Sequence, residues 1–246
     1  MASLIRAIGA CSSTLCSAHG CERGHAPMTD APTKPYKGRG MEGFLAAWYA
    51  RQTARDADEF AKTARRIAAH VNFGSRVLEI AAGPGYLAIE LAKQTGAHLT
   101  GLDISHSFVR IATENTRRAR VSVDFEHGDA ADLPFPDRQF DFIICRAAFK
   151  NFARPLVALN EMHRVLKDGG TALIIDLRKD FSRQGLSEYL KGRGLFDAAI
   201  MKLIFNTMLK RRAYTKESIS GLVAQSQFGP ADIRLDPIGF ELWLRK

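Results

Sequence analysis

Residues 77–86 read Val-Leu-Glu-Ile-Ala-Ala-Gly-Pro-Gly-Tyr. A short apolar run carries one carboxylate, Glu79, and ends in a turn holding Gly83 and Gly85. Glycines in such a turn let a ligand reach the main chain and meet its N–H groups. Asp103 closes the next apolar run, 98–103, twenty positions after Gly83. A carboxylate placed there can accept hydrogen bonds from ribose hydroxyls. The pattern is that of a nucleoside-bearing cofactor held at the mouth of a parallel sheet.

Two cofactor chemistries compete for this turn. Gly83-Pro-Gly85-Tyr-Leu-Ala88 satisfies the loose dinucleotide fingerprint G-x-G-x-x-A, which points to an NAD-dependent oxidoreductase. Glu79 argues otherwise. A carboxylate near the end of the first strand repels a pyrophosphate and suits a cation. S-adenosylmethionine carries a sulfonium and an ammonium group, so it fits. The structural alternative is a strand carboxylate paired with a nearby arginine, because buried carboxylates are usually paired.

The elements that must position these residues follow in order. Apolar runs predict strands at 76–81, 98–103, 122–127, 140–145 and 170–176, alternating with helical patterns. Such alternation builds a parallel, doubly wound sheet. Two amphipathic helices are expected before it, over 41–53 and 56–70, with Phe44, Leu45, Trp48 and Tyr49 at helical spacing. Residues 161–170 read as the end of a helix stopped by Gly169 and Gly170. Residues 232–246 read as two strands joined near Pro237-Ile238-Gly239.

From Arg76 to Asp176 the chain resembles the class I S-adenosylmethionine-dependent methyltransferases, with every motif in order. The pattern around Phe149-Lys150-Asn151-Phe152 is similar to the ubiquinone/menaquinone-biosynthesis enzymes and their small-molecule relatives. The resemblance implies an α/β fold: a doubly wound, mostly parallel seven-stranded Rossmann-like sheet with an antiparallel C-terminal hairpin. It implies that Glu79, Ala81, Gly83 and Gly85 line the methionine part of the cofactor. Ala81 stands where the family usually has a glycine. Asp103 would hold the ribose, and Ile104 would pack on the adenine. Asp129 would accept from the adenine amino group beside the Ala130 N–H. Arg146 would face the methionine end or the substrate.

The sulfonium activates its own methyl group, so no covalent nucleophile is required. The enzyme must align acceptor and methyl and exclude water. Asp176, Lys150 and Tyr214 are weak candidates for catalytic groups, with Asn151 as a further orienting group. The Asn/Asp-Pro-Pro-Tyr/Phe motif of base N-methyltransferases is absent after residue 145, and so is the Pro-Cys of cytosine-C5 enzymes. A small, apolar or aromatic acceptor is the expectation. An RNA methyltransferase is the remaining alternative, and nucleic acid is disfavoured as a partner.

The chain has 246 residues and a net charge of +9. Residues 41–177 are neutral, and the excess lies in residues 1–40 and 178–246. Residues 178–215 read as a helical lid insertion within a domain spanning 41–246. Its apolar stripe runs from Phe196 to Leu209, with basic residues at Lys202 and 210–212. A basic amphipathic helix can also touch a membrane surface, here through 195–212. Residues 1–40 are small, polar and rich in Pro and Gly, which predicts disorder. Cys11, Cys16 and Cys21 lack the close C-x2-C pair of zinc sites, so no metal is expected. A cytoplasmic location is expected, with a transit peptide in 1–40 left open.

Overall fold

The computed structural model describes residues 37, 41–191 and 210–246. Seven strands form one sheet in the order β3-β2-β1-β4-β5-β7-β6. They are β1 (Arg76–Ile80), β2 (His98–Asp103), β3 (Val123–His127), β4 (Phe140–Arg146), β5 (Leu166–Leu177), β6 (Asp232–Leu235) and β7 (Gly239–Arg245). The first five are parallel, and β7 runs antiparallel to both β5 and β6. The expected doubly wound sheet with a C-terminal hairpin is therefore present.

The chain reverses its winding direction between β1 and β4, which lie side by side. Ligands of open α/β sheets bind outside the carboxyl ends of the strands at such a point. Alternate residues of each strand feed two separate cores, as the period of two requires. Val77, Leu99, Phe142, Ile144 and Leu173 pack against α2 (Ala57–Ala68) and α3 (Tyr86–Gln94). Leu78, Leu102, Ile143, Cys145 and Ile174 pack against α5 (Pro155–Val165) and α7 (Lys216–Val223). Every functional side chain on a strand therefore belongs to one face or the other.

The N-terminal helices take nearly the expected bounds. α1 spans Gly43–Thr53, and a 3-10 turn, Ala54–Asp56, joins it to α2. α1 is pinned beside the start of α4 (His106–Ala119). Ser105 Oγ donates to the Met41 carbonyl at 2.6 Å, and the Gly43 N–H donates to Ser107 Oγ at 2.9 Å. The Tyr86 hydroxyl donates to the Ala50 carbonyl at 2.9 Å. α6 covers Arg183–Tyr189. Residues 192–209 of the expected lid, which include the Phe196–Leu209 stripe, lie outside the described residues. So do Cys11, Cys16, Cys21 and nearly all of the segment expected to be disordered.

One helix ends sooner than its sequence suggests. α5 stops at Val165, and β5 begins at Leu166 rather than near 170. Leu166 pairs with Phe140, and the register then shifts so that Phe142 faces Thr171. Gly169 and Gly170 sit within that irregular stretch, not at a helix stop. At Gly170 a side chain would lie 2.8 Å from the Lys167 carbonyl. The helix end is satisfied from elsewhere: Lys246 Nζ donates to the carbonyls of His163 at 2.8 Å and Leu166 at 2.9 Å. A cation there also complements the helix dipole.

A buried ion pair ties the loop after β4 to the end of β5. Lys150 Nζ lies 2.7 Å from Asp176 Oδ1, with side chains 5% and 1% exposed. Asp176 also accepts from the Lys150 N–H at 2.8 Å and the Leu177 N–H at 2.7 Å. Lys150 Nζ donates again to the Ala147 carbonyl at 2.5 Å. Removing one partner strands the other charge in the core. Asp176→Ala should therefore lower stability in urea unfolding by about 3–5 kcal/mol. The double change Lys150→Met with Asp176→Leu should restore much of it. A loss below about 1 kcal/mol for the single variant would mean the pair is not a structural tie.

Candidate active site

The turn after β1 is held by the end of β2. Asp103, 6% exposed, accepts from the Gly83 N–H at 2.8 Å through one oxygen and from the Ser105 N–H at 2.9 Å through the other. Burial raises its pKa, and these two N–H groups oppose the rise. An ionised carboxylate offers about four acceptor sites, so two remain for hydroxyls. The Ala82 N–H bonds to the Leu102 carbonyl at 3.1 Å, and Asn115 Nδ2 holds the Pro84 carbonyl at 2.9 Å. The turn is thus fixed from three sides.

The glycines and Ala81 play different parts within it. Gly83 adopts φ +55°, and a side chain there would meet nothing within 4 Å. Its front is open, as a ligand-facing position must be. Gly85 adopts φ +80°, but its side chain would strike Phe125 at 2.7 Å and Ala112 at 3.0 Å. Gly85 therefore also serves close packing against β3 and α4. Ala81 adopts φ +57°. That left-handed conformation is strained for any residue with a Cβ. Ala147, just after β4, carries the same strain at φ +59°. The two strained alanines flank the point where winding reverses.

Glu79 is the unusual charge. It lies in β1 between Gly101 and Ile144 and is 4% exposed. Its Oε2 has no hydrogen-bond partner. Burial pushes its pKa up to about 8, against the lowering effects of the Ala88 amide and the Arg146 charge. No ion pair neutralises Glu79 among the described residues, so the arginine-paired alternative is not what the fold builds. A buried carboxylate with an unused oxygen calls for a cationic or hydrogen-bonding ligand.

Arg146 closes β4 on the same face. Its guanidinium stands 4.7 Å over the Phe60 ring of α2. Among the described residues it makes no ion pair. Tyr49 of α1 leans over this region, with its ring edge-on to Phe108 at 5.8 Å. Burial raises the Tyr49 pKa, Arg146 lowers it, and Asp103 raises it further. Sequence alone does not mark Tyr49 and Phe60 as site residues; only their helical spacing is visible there.

On the other face, Ile104, Asp129 and Ala130 line one cleft with Ile80, Ala81, Leu102, Gly128 and Phe152. The lining of this cleft is largely apolar. Asp129 accepts from the Ala131 N–H at 2.9 Å and pairs with Arg154 at 2.8 Å. Leu133 and Phe135 are anchored by Arg164, whose nitrogens reach both carbonyls at 2.9 and 2.7 Å.

The catalytic candidates fall in a separate group. Asp176 has both oxygens committed to Lys150 and Leu177, and it shares the face of Ile174, opposite Glu79. A free general base is not available there, which corrects that expectation. Lys150 is the matching half of the pair. Tyr214 packs on Phe149 with ring centres 5.8 Å apart, and burial raises its pKa. The structure brings Glu79, Ala81, Gly83, Asp103 and Arg146 together, and groups Lys150, Asp176 and Tyr214 apart from them.

Two substitutions test the turn. Ala81→Gly should relieve left-handed strain and raise stability by up to about 1 kcal/mol in urea unfolding, after the added freedom of the unfolded chain is counted. Destabilisation of that size would show that Ala81 is not strained. Gly83→Val should leave a folded protein by circular dichroism and abolish S-adenosylhomocysteine binding. Retained affinity would move the site elsewhere.

Known proteins resemble this chain in sequence and fold. The family described as methyltransferase domain matches residues 78–174. A demethylmenaquinone methyltransferase of Staphylococcus haemolyticus is 38% identical over 109 residues, 44% of this chain and 45% of that protein. The one from Deinococcus radiodurans is 34% identical over 137 residues, 55% and 52% of the two chains. The chain thus matches about half the length of these curated relatives. A solved structure from Methanococcus maripaludis, assigned to the S-adenosyl-L-methionine-dependent methyltransferases, covers 85% of this chain and 95% of its own at TM-score 0.66 and 21% identity. A SAM-dependent methyltransferase from Aquifex aeolicus covers 76% and 97% at TM-score 0.59 and 17% identity. These two show the fold. Residues 78–174 are thus similar to a methyltransferase domain, and the turn, both acidic residues and the winding reversal lie within that stretch.

Proposed function

We propose that this protein transfers a methyl group from S-adenosylmethionine to a small aromatic or apolar acceptor. The observation that carries this reading is the buried, unneutralised Glu79 beside the Asp103-locked turn. Asp103 would hold the ribose hydroxyls, and the Ile104–Ala130–Phe152 cleft would hold the adenine. Glu79 would take the ammonium end, and Arg146 would stand over the methionine carboxylate or the acceptor. Bound there, the cofactor supplies an electrophilic methyl group on its sulfonium.

What remains for the chain is to orient the acceptor and keep water out. Asp176 is consumed by Lys150, so a carboxylate base is not at hand on that strand. An acceptor that ionises readily, such as a phenol or a hydroquinone, suits this arrangement. The relatives' name, demethylmenaquinone methyltransferase, points to the same quinone class. A thermal-shift series checks the cofactor first. S-adenosylhomocysteine should raise the melting temperature, and NADH should not. The reverse result would favour the dinucleotide reading of Gly83-x-Gly85-x-x-Ala88.

The state of Glu79 makes binding pH-dependent. Its carboxyl holds a proton up to about pH 8, and a cationic partner requires that proton to leave. S-adenosylhomocysteine affinity should therefore rise from about pH 6 to about pH 8, by at most about tenfold per unit, and then level off. Calorimetry in buffers of differing ionisation enthalpy should register proton release. For the unliganded fold the sign is opposite. The folded state keeps a proton that the unfolded chain loses near 4.5, so the contribution of Glu79 falls as pH climbs toward 8. Glu79→Gln should flatten both slopes. A pH-independent affinity in the parent protein would remove Glu79 from the ammonium site. Asp103→Ala should weaken S-adenosylhomocysteine by about 1.5–3 kcal/mol. Unchanged affinity would exclude it as the ribose ligand.

A further inference from the structure

α1 presents an outward face that its own fold does not use. Ala46 and Ala50 are buried on its inner side. On the outer side Phe44 is 80% exposed, Trp48 45% and Leu45 40%. Arg51 and Arg55 continue the Phe44–Trp48 row one and two turns on, at helical spacing. Neither arginine makes an ion pair among the described residues. No acidic residue occurs from Gly43 to Arg55. Three large apolar side chains in one exposed patch, next to these arginines, are more than scattered surface hydrophobics require.

We infer that α1 is a membrane-docking helix that seats this face in an anionic lipid surface. Amphipathic helices that lie in a bilayer interface combine bulky apolar residues, tryptophan among them, with Arg and Lys that meet lipid phosphates. The charge complements such a surface. The basic turn Lys210–Arg212 adds to it, because Arg212 is held to Asn151, in the loop after β4, at 3.3 Å. Both α1 and that turn lie at the carboxyl edge of the parallel strands. α1 is fixed there by Ser105 and Ser107, which closely follow Asp103 at the end of β2. Docking would bring the mouth of the site to the lipid boundary, where an apolar acceptor is dissolved. That last consequence rests on the proposed acceptor class; the docking face itself does not. The α1 face itself lies outside the 195–212 segment expected from sequence to touch a membrane, and the two meet only through Lys210–Arg212.

The chain holds two tryptophans, so Trp243→Phe leaves Trp48 as the sole reporter. Phosphatidylcholine vesicles with about 30% phosphatidylglycerol carry the negative surface potential of an anionic leaflet. Adding them should shift Trp48 emission to the blue. Brominated lipids should quench it, and added salt should weaken the effect. Phe44→Ser with Trp48→Ser, in the parent protein, should lose at least about tenfold in vesicle sedimentation. S-adenosylhomocysteine affinity, measured on the same samples, should stay unchanged. Failure to bind that ligand would reject the proposed function and leave the docking result standing. Trp48 emission that is already blue without lipid would mean another part of the chain covers the face. Concentration-dependent dimers lost in the double variant would assign it to a second copy. Either result, or vesicle binding that survives the double change, overturns the inference.

Discussion

A buried carboxylate that no ion pair neutralises among the described residues is the constraint on this site. Glu79 sits inside a parallel sheet with one oxygen unbonded, and burial holds its pKa at about 8. Burying an unpaired charge is among the most unfavourable things a fold can do. The raised pKa favours the protonated, neutral form at neutral pH, which spares the sheet that charge. Around it the fold supplies rigidity. Val77 and Leu78 enter separate cores on the two faces, so β1 cannot slip or rotate without exposing one of them. The strained backbone at Ala81 and Ala147 lies on either side of the same reversal point. Strain of this kind persists where packing over-determines the chain, and it gathers at functional sites.

Asp103 transmits the position of β2 to the turn after β1. Its two oxygens hold Gly83 and Ser105, and Ser105 in turn holds Met41 at the start of α1. One carboxylate therefore links the turn after β1, the end of β2 and the start of α1. The Lys150–Asp176 pair does the matching work on the other face. It fixes the loop after β4, and with it the strand end that carries Arg146. The two anchors thus hold the turn after β1 and the loop after β4.

Much of this is readable in the residues. The five parallel strands announce themselves by apolar runs bounded by turn residues, and their bounds move by little except at β5. There Lys167-Asp168-Gly169-Gly170 has the composition of a helix stop. Pairing of Leu166 with Phe140 takes the segment into the sheet instead. Local chemistry cannot foresee a long-range strand contact. The same limit hides the fate of Asp176, whose partner lies 26 residues earlier. The motif marks Gly85, but not its packing role: Phe125 from β3 fills the space a side chain there would take. Tyr49 and Phe60 are visible only as helical spacing. Their approach to Arg146 depends on how α1 and α2 fold back over the sheet. The motif residues Glu79, Gly83 and Asp103 can be found because their chemistry is carried by spacing alone.

The most direct test is a crystal structure of the protein grown with S-adenosylhomocysteine. The ribose hydroxyls should lie on Asp103, the ammonium group toward Glu79, and the adenine between Ile104, Ala130 and Phe152. Ligand density lying elsewhere, or density at this crevice that leaves both carboxylates uncontacted, would contradict the placement of the site and the role of Glu79.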